Sequence, residues 1–415
     1  MAELRNLLAL FITVCMMAGC GGSSDGAREF PFAAQDPSTQ SPSNPGAVAP
    51  GASGFNGGLT GRLITTFEFQ PYEFNLATGA STQLPVTTNK EYLDSIGEGS
   101  AVRDWNYFSA NANAAAQGFV ETTYDCFAAP TGGCLAIFNS NYELLDRVSV
   151  RERYLEEPAR LSRSGTHVVM SDMDPFYNET SYILMMNVDT RTVSDSIELD
   201  HEIASRGEYP QHPVLEWGVN DEVYYAVPAD KRPTVYITEP GSLETSRTIS
   251  LPESYNGYIN SMSLHPDGSQ LLLEYRANIN ETDPGSIIMV LDLNSLLLRI
   301  PAVNQADSAT IPIGENFQSQ FVQPMWSPDG QYIAFVNLFF IGSLGNPAGG
   351  DTQELSGDRI VAVPADSERV IVNATSEAPQ SPAFVLQFSN PRSPDQLSAR
   401  WYGDDFNDSN IDWIQ

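Results

Sequence analysis

From Gly61 onward the chain is a succession of short apolar runs broken by Gly, Pro, Asn and Asp. RLITTFEF, PYEFNLATG, THVVMSD, YILMMNVDT, EVYYAV, TVYITEPG, QLLLEY, SIIMVLDL, QYIAFVN and RIVAVPAD are rich in β-branched and aromatic residues. Each is four to eight or so residues long and bounded by turn formers, which is how strands read. No long amphipathic helical pattern interrupts them. So many short strands without helices predict an all-β fold: a sandwich, a barrel or a propeller.

A repeat separates these options. WSPDGQYIAFV (Trp326 to Val336) has a near-copy upstream, LHPDGSQLLLE (Leu264 to Glu274). Aligning the residue before each turn gives Trp105, Leu161, Trp217, Leu264, Trp326 and Trp413, with gaps of 56, 56, 47, 62 and 87. The turns that follow are SRSG, GVND, HPDG and SPDG. Then come a second strand, a loop, and a strand ending in a Val-Asp-Thr or Leu-Asp-Leu signal, which makes one four-stranded blade per repeat. LHPDG and WSPDGQYIAF resemble the WD-like repeats of TolB-type β-propellers. The resemblance spans residues 60–415 and implies the fold; a fold of this kind hosts many functions. TolB-type proteins carry an α/β domain ahead of the propeller, and a linker-like segment stands there in this chain.

Trp413 lies so near the end of the sequence that it can supply only an innermost strand. RLITTFEF and PYEFNLATG lack an innermost strand of their own. Pairing the N- and C-terminal strands therefore closes a six-bladed ring and removes exposed sheet edges. The gap of 87 leaves room for a seventh blade around AFVLQFSN. Within the PDG turns, Pro presets φ, Asp caps turn amides and Gly takes the left-handed conformation, so Asp267 and Asp329 are expected to be structural.

The N-terminus follows another logic. Residues 1–19 read as a signal peptide: Arg5, then the 11-residue apolar run Leu7 to Met17, too short to span a bilayer permanently. Met-Ala-Gly-Cys at residues 17–20 resembles the lipobox of bacterial lipoproteins. That resemblance implies a lipid anchor on Cys20, and Gly21 in place of an Asp retention signal implies the outer membrane. Residues 21–58 hold 8 Gly, 5 Pro, 6 Ser and 6 Ala, the composition of a tether that cannot repay its ordering entropy. The domain plan is thus 1–19 signal, 20–58 lipidated Cys plus tether, and 59–415 propeller. Cys126 and Cys134, in CFAAPTGGC, are the pair left over in an exported chain and read as a disulfide across a loop.

Charge narrows the partners. Lys and Arg number 21 against 52 Asp and Glu, a net charge of −31 that repels phosphate backbones and excludes nucleic acid as a partner. Catalytic motifs are lacking. HEIAS at His201 has Ser205 where a metalloprotease needs its second His, and no G-x-S-x-G elbow presents a serine. No cofactor is expected. GDDFNDSNID, residues 403–412, sets Asp405, Asn407 and Ser409 at alternate positions as a calcium loop does, but without the later bidentate Glu. A solvated terminal turn is the preferred reading there, with calcium the alternative.

Loops between second and third strands are expected on one face, and they are long: CFAAPTGGC, DMDPFYNET, RANINETDPG and the stretch from Phe339 to Asp358. Scaffold-held loops are the usual place for binding. Asp172, Asp174, Tyr177, Arg276, Glu281, Asp283, Phe339 and Phe340 are therefore the candidate contacts. The expected function is a membrane-anchored, non-catalytic binding or scaffold protein for a protein or envelope polymer. The alternative is a propeller enzyme, a hydrolase or lyase acting on envelope sugars or small esters in the central channel.

Overall fold

The computed structural model describes residues 55–67, 70–97, 106–109, 118–123, 126, 132–151, 155, 158–172, 181–199, 213–227, 232–255, 257–276, 286–304, 317–341, 355–372, 379–391, 393–398 and 411–415. They form six four-stranded antiparallel sheets arranged as a β-propeller. From the inside out, blade I is Asp412–Ile414, Arg62–Phe67, Gln70–Asn75 and Ser81–Gln83. Blade II is Asn106–Ser109, Phe119–Thr123, Gly132–Phe138 and Leu144–Arg151. Blade III is Arg160–Leu161, His167–Asp172, Ser181–Asn187 and Thr192–Leu199. Blade IV is Val214–Trp217, Val223–Ala226, Thr234–Thr238 and Thr245–Ser250. Blade V is Tyr258–Leu264, Gln270–Arg276, Ser286–Asp292 and Leu298–Arg299. Blade VI is Phe317–Trp326, Tyr332–Ile341, Leu355–Pro364 and Phe384–Val385.

Six apolar clusters fill the six gaps between blades, and this explains the sequence pattern. A blade's middle strands are covered on both faces, so alternate residues serve different neighbours. Leu271 and Leu273 pack toward blade IV, whereas Leu272 between them packs toward blade VI. Ile333 and Phe335 face blade V, while Ala334 and Val336 face blade I. A strand buried on two sides reads as a continuous apolar run rather than strict alternation. Outer strands revert to polar residues: Thr245–Ser250 is exposed at five of its six positions.

The ring closes as the sequence predicts. Asp412–Ile414 pairs with the first strand in the register Arg62↔Ile414, Leu63↔Trp413 and Ile64↔Asp412. AFVLQFSN makes no seventh blade. It supplies Phe384–Val385 as the outer strand of blade VI, then Phe388–Asn390, which reaches blade I through Ser389. Blade VI is also sewn to blade V by a parallel pair, Ala302–Asn304 with Val370–Val372. Phe55–Gly58 is packed onto the ring as well: the Asn56 side chain donates to the carbonyls of Leu76 and Gln387 and accepts from the Gln387 amide.

The tryptophan anchors do more than fill space. Trp217 is fully buried and donates its indole N–H to the carbonyl of Arg160, on the inner strand of the preceding blade, at 2.7 Å. Trp326 does the same to Ser263 at 3.1 Å, and Trp413 reaches Thr60 at 3.1 Å. Inner strands are therefore tied to their neighbours by a directional bond as well as by packing. Blade II departs from the expected alignment. Its inner strand is Asn106–Ser109, and the buried aromatic there is Phe108, stacked 5.7 Å from Phe119. Trp105 precedes that strand and lies outside the described residues.

Trp217→Phe keeps most of the ring volume but removes the indole bond to the Arg160 carbonyl, which still faces Val169 in its own blade's ladder. A loss of about 0.5–1.5 kcal/mol is expected for one such hydrogen bond. Denaturant unfolding of the two proteins side by side measures it.

Candidate functional site

The connections between first and second strands are tight, five residues each in blades III to VI (162–166, 218–222, 265–269 and 327–331). In the HPDG turn the Asp267 carboxylate accepts from the Ser269 amide at 2.8 Å and lies 2.6 Å from His265 Nδ1. Hydrogen bonds from Ser269, and then from His265, hold its carboxyl below the usual range. In the SPDG turn Asp329 accepts from Ser327 Oγ at 2.6 Å and from the Gln331 amide at 3.0 Å. His265 packs edge-on against Trp326, 4.7 Å between ring centres, and fills the space beside Gly330, whose φ is +68°. A Cβ there would come within 2.1 Å of the imidazole, so only Gly fits. The two turns thus brace blades V and VI against each other, as the structural reading of Asp267 and Asp329 expects.

On the opposite face, second-to-third-strand connections run to eight residues in blade III, nine in blade V and thirteen in blade VI. Phe339 and Phe340 are strand residues, not loop residues. Phe339 pairs with Ser319 and Gly357, and Phe340 with Gln318 and Ser356. The apolar run continues the extended pairing past the residues where the loop was placed, so the connection is 342–354 rather than Phe339 to Asp358. Asp172 and Arg276 stand at the last positions of their strands, where two of the long connections start. Asp174, Tyr177, Glu281, Asp283 and Cys20 lie outside the described residues.

Arg276 is already engaged. Its Nε donates to Glu274 Oε1 at 2.9 Å, and although burial opposes its charge, the carboxylate beside it raises its pKa. Glu274 is completely buried and also accepts from Asn260 Nδ2, Ser261 Oγ and the Gln323 amide. Gln323 belongs to a bulge in the inner strand of blade VI, with φ +52°, so the bulge aims its amide at a carboxylate in blade V. A buried charge is tolerated only when paired and bonded in this way. Across the inner strands a second pair forms: Arg160 of blade III donates to Asp412 of blade I at 2.7 Å, each side chain only about a tenth exposed.

The predicted disulfide is present between Cys126 and Cys134, with Cα atoms 5.9 Å apart. It carries the one α-helix among the described residues, α1 (Asn89–Ser95), through Leu93, which packs against both cysteines. Thr88 and Glu91 make a reciprocal capping box at its start. Beneath it, buried Glu121 of blade II accepts the Asn89 amide at 2.9 and 2.8 Å through its two oxygens. Arg147 bonds the Asn89 side chain at 2.6 Å, and its charge opposes the shift on Glu121. Burial dominates, raising the Glu121 carboxyl from 4.5 to about 8. Glu121, Glu274 and Arg160 were not singled out from the sequence. The available signal was a lone charge inside a strand run, FVETT and QLLLEY.

One cleft of about 440 Å³ opens at the ring closure, on the tight-turn face, between residues 57–61, the SPDG turn, Tyr332 and Trp413. Among the described residues no three His, Cys, Asp or Glu side chains stand close enough to share a metal ion. The calcium-like run, apart from Ile411 and Asp412, lies outside them.

No family model matches the chain, and no curated protein matches it. Solved structures do. TolB from Acinetobacter baumannii is 10% identical over 74% of this chain and 65% of its own, with a TM-score of 0.42. A putative 6-phosphogluconolactonase from Bacteroides uniformis is 10% identical over 79% of this chain and all of its own, with a TM-score of 0.42. The GH74 enzyme of Niastella koreensis is 11% identical over 89% of this chain and 55% of its own, with a TM-score of 0.45. The chain thus spans less than two thirds of the TolB and GH74 chains. These likenesses concern the fold alone.

Glu121→Gln keeps an acceptor for Asn89 and removes the titration. Because the folded-state pKa of Glu121 is the higher one, wild-type stability should fall as pH rises between about 4.5 and about 8. The expected decline is roughly 3–5 kcal/mol. Denaturant midpoints measured from pH 5 to 8 should show this slope in the wild type and a flatter one in the variant.

Proposed function

We propose that this chain is a non-catalytic binding or scaffold protein of a bacterial envelope. It is held by lipid on Cys20, on a tether, and grips a protein or an envelope polymer with its long-loop face. The observation that carries this reading is the asymmetry of the connections. Five residues suffice for each tight turn of blades III to VI, yet the other face has eight, seven, nine and thirteen in these blades; blade II, with nine against eight, and blade I, with a two-residue connection, do not share the asymmetry. Closing a hairpin needs only two to five residues, so the surplus serves something other than the fold. Asp172 and Arg276 sit at the roots of two of these connections and fix their starting points.

The lipidated N-terminus is supported by the 17–20 motif and by a cysteine pair that closes a disulfide, which suits an exported protein. The enzyme reading finds less support. Two pairs of described charges are spent on each other, Arg160 with Asp412 and Arg276 with Glu274. No reading of the likenesses above extends to substrate.

Crosslinking in intact cells tests the face. Replacing residues 342–354 with a short Gly-Ser link should remove the dominant adducts of the full-length protein while its unfolding midpoint stays within a degree or two. An adduct pattern unchanged from wild type would rule this face out. For the anchor, Cys20→Ser should move the protein from the membrane to the soluble fraction.

A further inference from the structure

We propose that the cleft at the ring closure is a second site, on the opposite face from the long loops, and that it binds an organic cation: an ammonium or guanidinium group on a narrow apolar stem. Its floor is backbone. Gly57, Gly58 and Gly61 have φ of 69°, 79° and 93°, values that favour glycine. A Cβ on Gly57 would lie 2.8 Å from the Phe384 ring, and one on Gly61 only 2.4 Å from the Ile414 carbonyl. The packing that closes the ring therefore holds Gly57 and Gly61 without side chains, and a concavity of about 440 Å³ is left over this strip. That volume lies within the usual range for small-ligand sites.

The walls combine the rings of Tyr332 and Trp413 with polar Thr60, Ser327 and Gln415, and Asp329 is the one charged side chain among them. Tyr332 is half-buried, packed edge-on to Phe384, and its hydroxyl has no partner among the described residues. The Trp413 indole N–H is taken by Thr60, so its ring offers only carbon to the cleft. At the lip stands Asp329, exposed, with Oδ1 occupied by Ser327 and Gln331 and Oδ2 unbonded among the described residues. A carboxylate oxygen free to accept, beside a tyrosine ring, is what a cation on an apolar stem requires. Arg62 flanks the cleft but is held by Glu73 and by the Gln415 carbonyl, so it does not occupy Asp329.

The surrounding face adds a field of the right sign. The turn segments 139–143, 162–166, 188–191, 218–222, 239–244, 265–269, 292–297, 327–331 and 365–369 contain eleven Asp and Glu against three Arg and no Lys. Such a surface concentrates cations and repels anions, more strongly at low salt. The acidic rim would draw many cations weakly. The cleft is where one would be held in a fixed pose.

The test is calorimetric titration of the full chain with two probes, spermidine and an acetylated Gly-Arg-Gly amide, at about 20 mM and about 150 mM salt. Asp329→Asn is the diagnostic variant, because Asn keeps the Oδ1 acceptor that the turn needs. Asp267→Asn removes the same charge from the neighbouring turn, away from the cleft. Saturable one-to-one binding is expected for at least one probe, weakened about tenfold by Asp329→Asn and less than twofold by Asp267→Asn. Binding of the peptide alone identifies a basic chain as the source, and binding of spermidine alone a free amine; both uphold the cation site. Equal weakening by the two variants would mean a diffuse acidic surface and would overturn it. So would the absence of saturation by either probe up to about 10 mM at low salt.

Discussion

Every blade of this protein is apolar on both faces, and that constraint governs the rest of the structure. A sheet with two apolar faces is stable only between two other sheets, so an open row of six would leave two faces in water. The ring removes the ends. Closure falls to a strand of three residues, Asp412–Ile414, which brings Trp413 into the cluster between blades VI and I and Ile414 into the one between blades I and II. Two inter-blade cores thus hang on consecutive side chains of one short strand.

Buried polar groups are placed where the apolar packing cannot specify a relation between blades. Glu274 ties a strand of blade V to a bulge of blade VI, and Arg160 reaches from blade III to blade I. Apolar contacts are non-directional and would tolerate a blade sliding along its neighbour. A charged group that must find its one partner does not tolerate it, since an unpartnered buried charge costs several kcal/mol. The indole N–H bonds of Trp217 and Trp326 act in the same sense and fix neighbouring inner strands relative to one another, while that of Trp413 ties the closing strand to Thr60 within blade I.

Blade count and closure were legible in the sequence because they depend on spacing and on residue size. Trp217, Trp326 and Trp413 mark inner strands since few sites in a propeller accommodate an indole. The same logic misplaced the anchor of blade II, where Phe108 fills the role and the nearby tryptophan precedes the strand. Loop length was overread in blade VI because strand pairing, a property of three segments together, extends through Phe339 and Phe340. The buried polar ties were invisible for a related reason: Glu121 and Asn89 are 32 residues apart, and Glu274 and Gln323 are 49 apart. Only the folded ring brings them together. Of the candidate contacts, Asp172 and Arg276 mark where two of the long connections begin, and Phe339 and Phe340 lie within a strand.

The Asn56 clamp has a mechanical consequence. A pull on the chain ahead of Phe55 does not load the first strand directly. It meets an amide side chain fixed at three points, to Leu76 in blade I and twice to Gln387 in the segment that leaves blade VI. Those two anchors belong to the first and last blades, so tension applied at this end is shared across the seam instead of peeling one side from the other. The clamp acts as a strain relief, meeting such a pull before it reaches the closing strand, Asp412–Ile414.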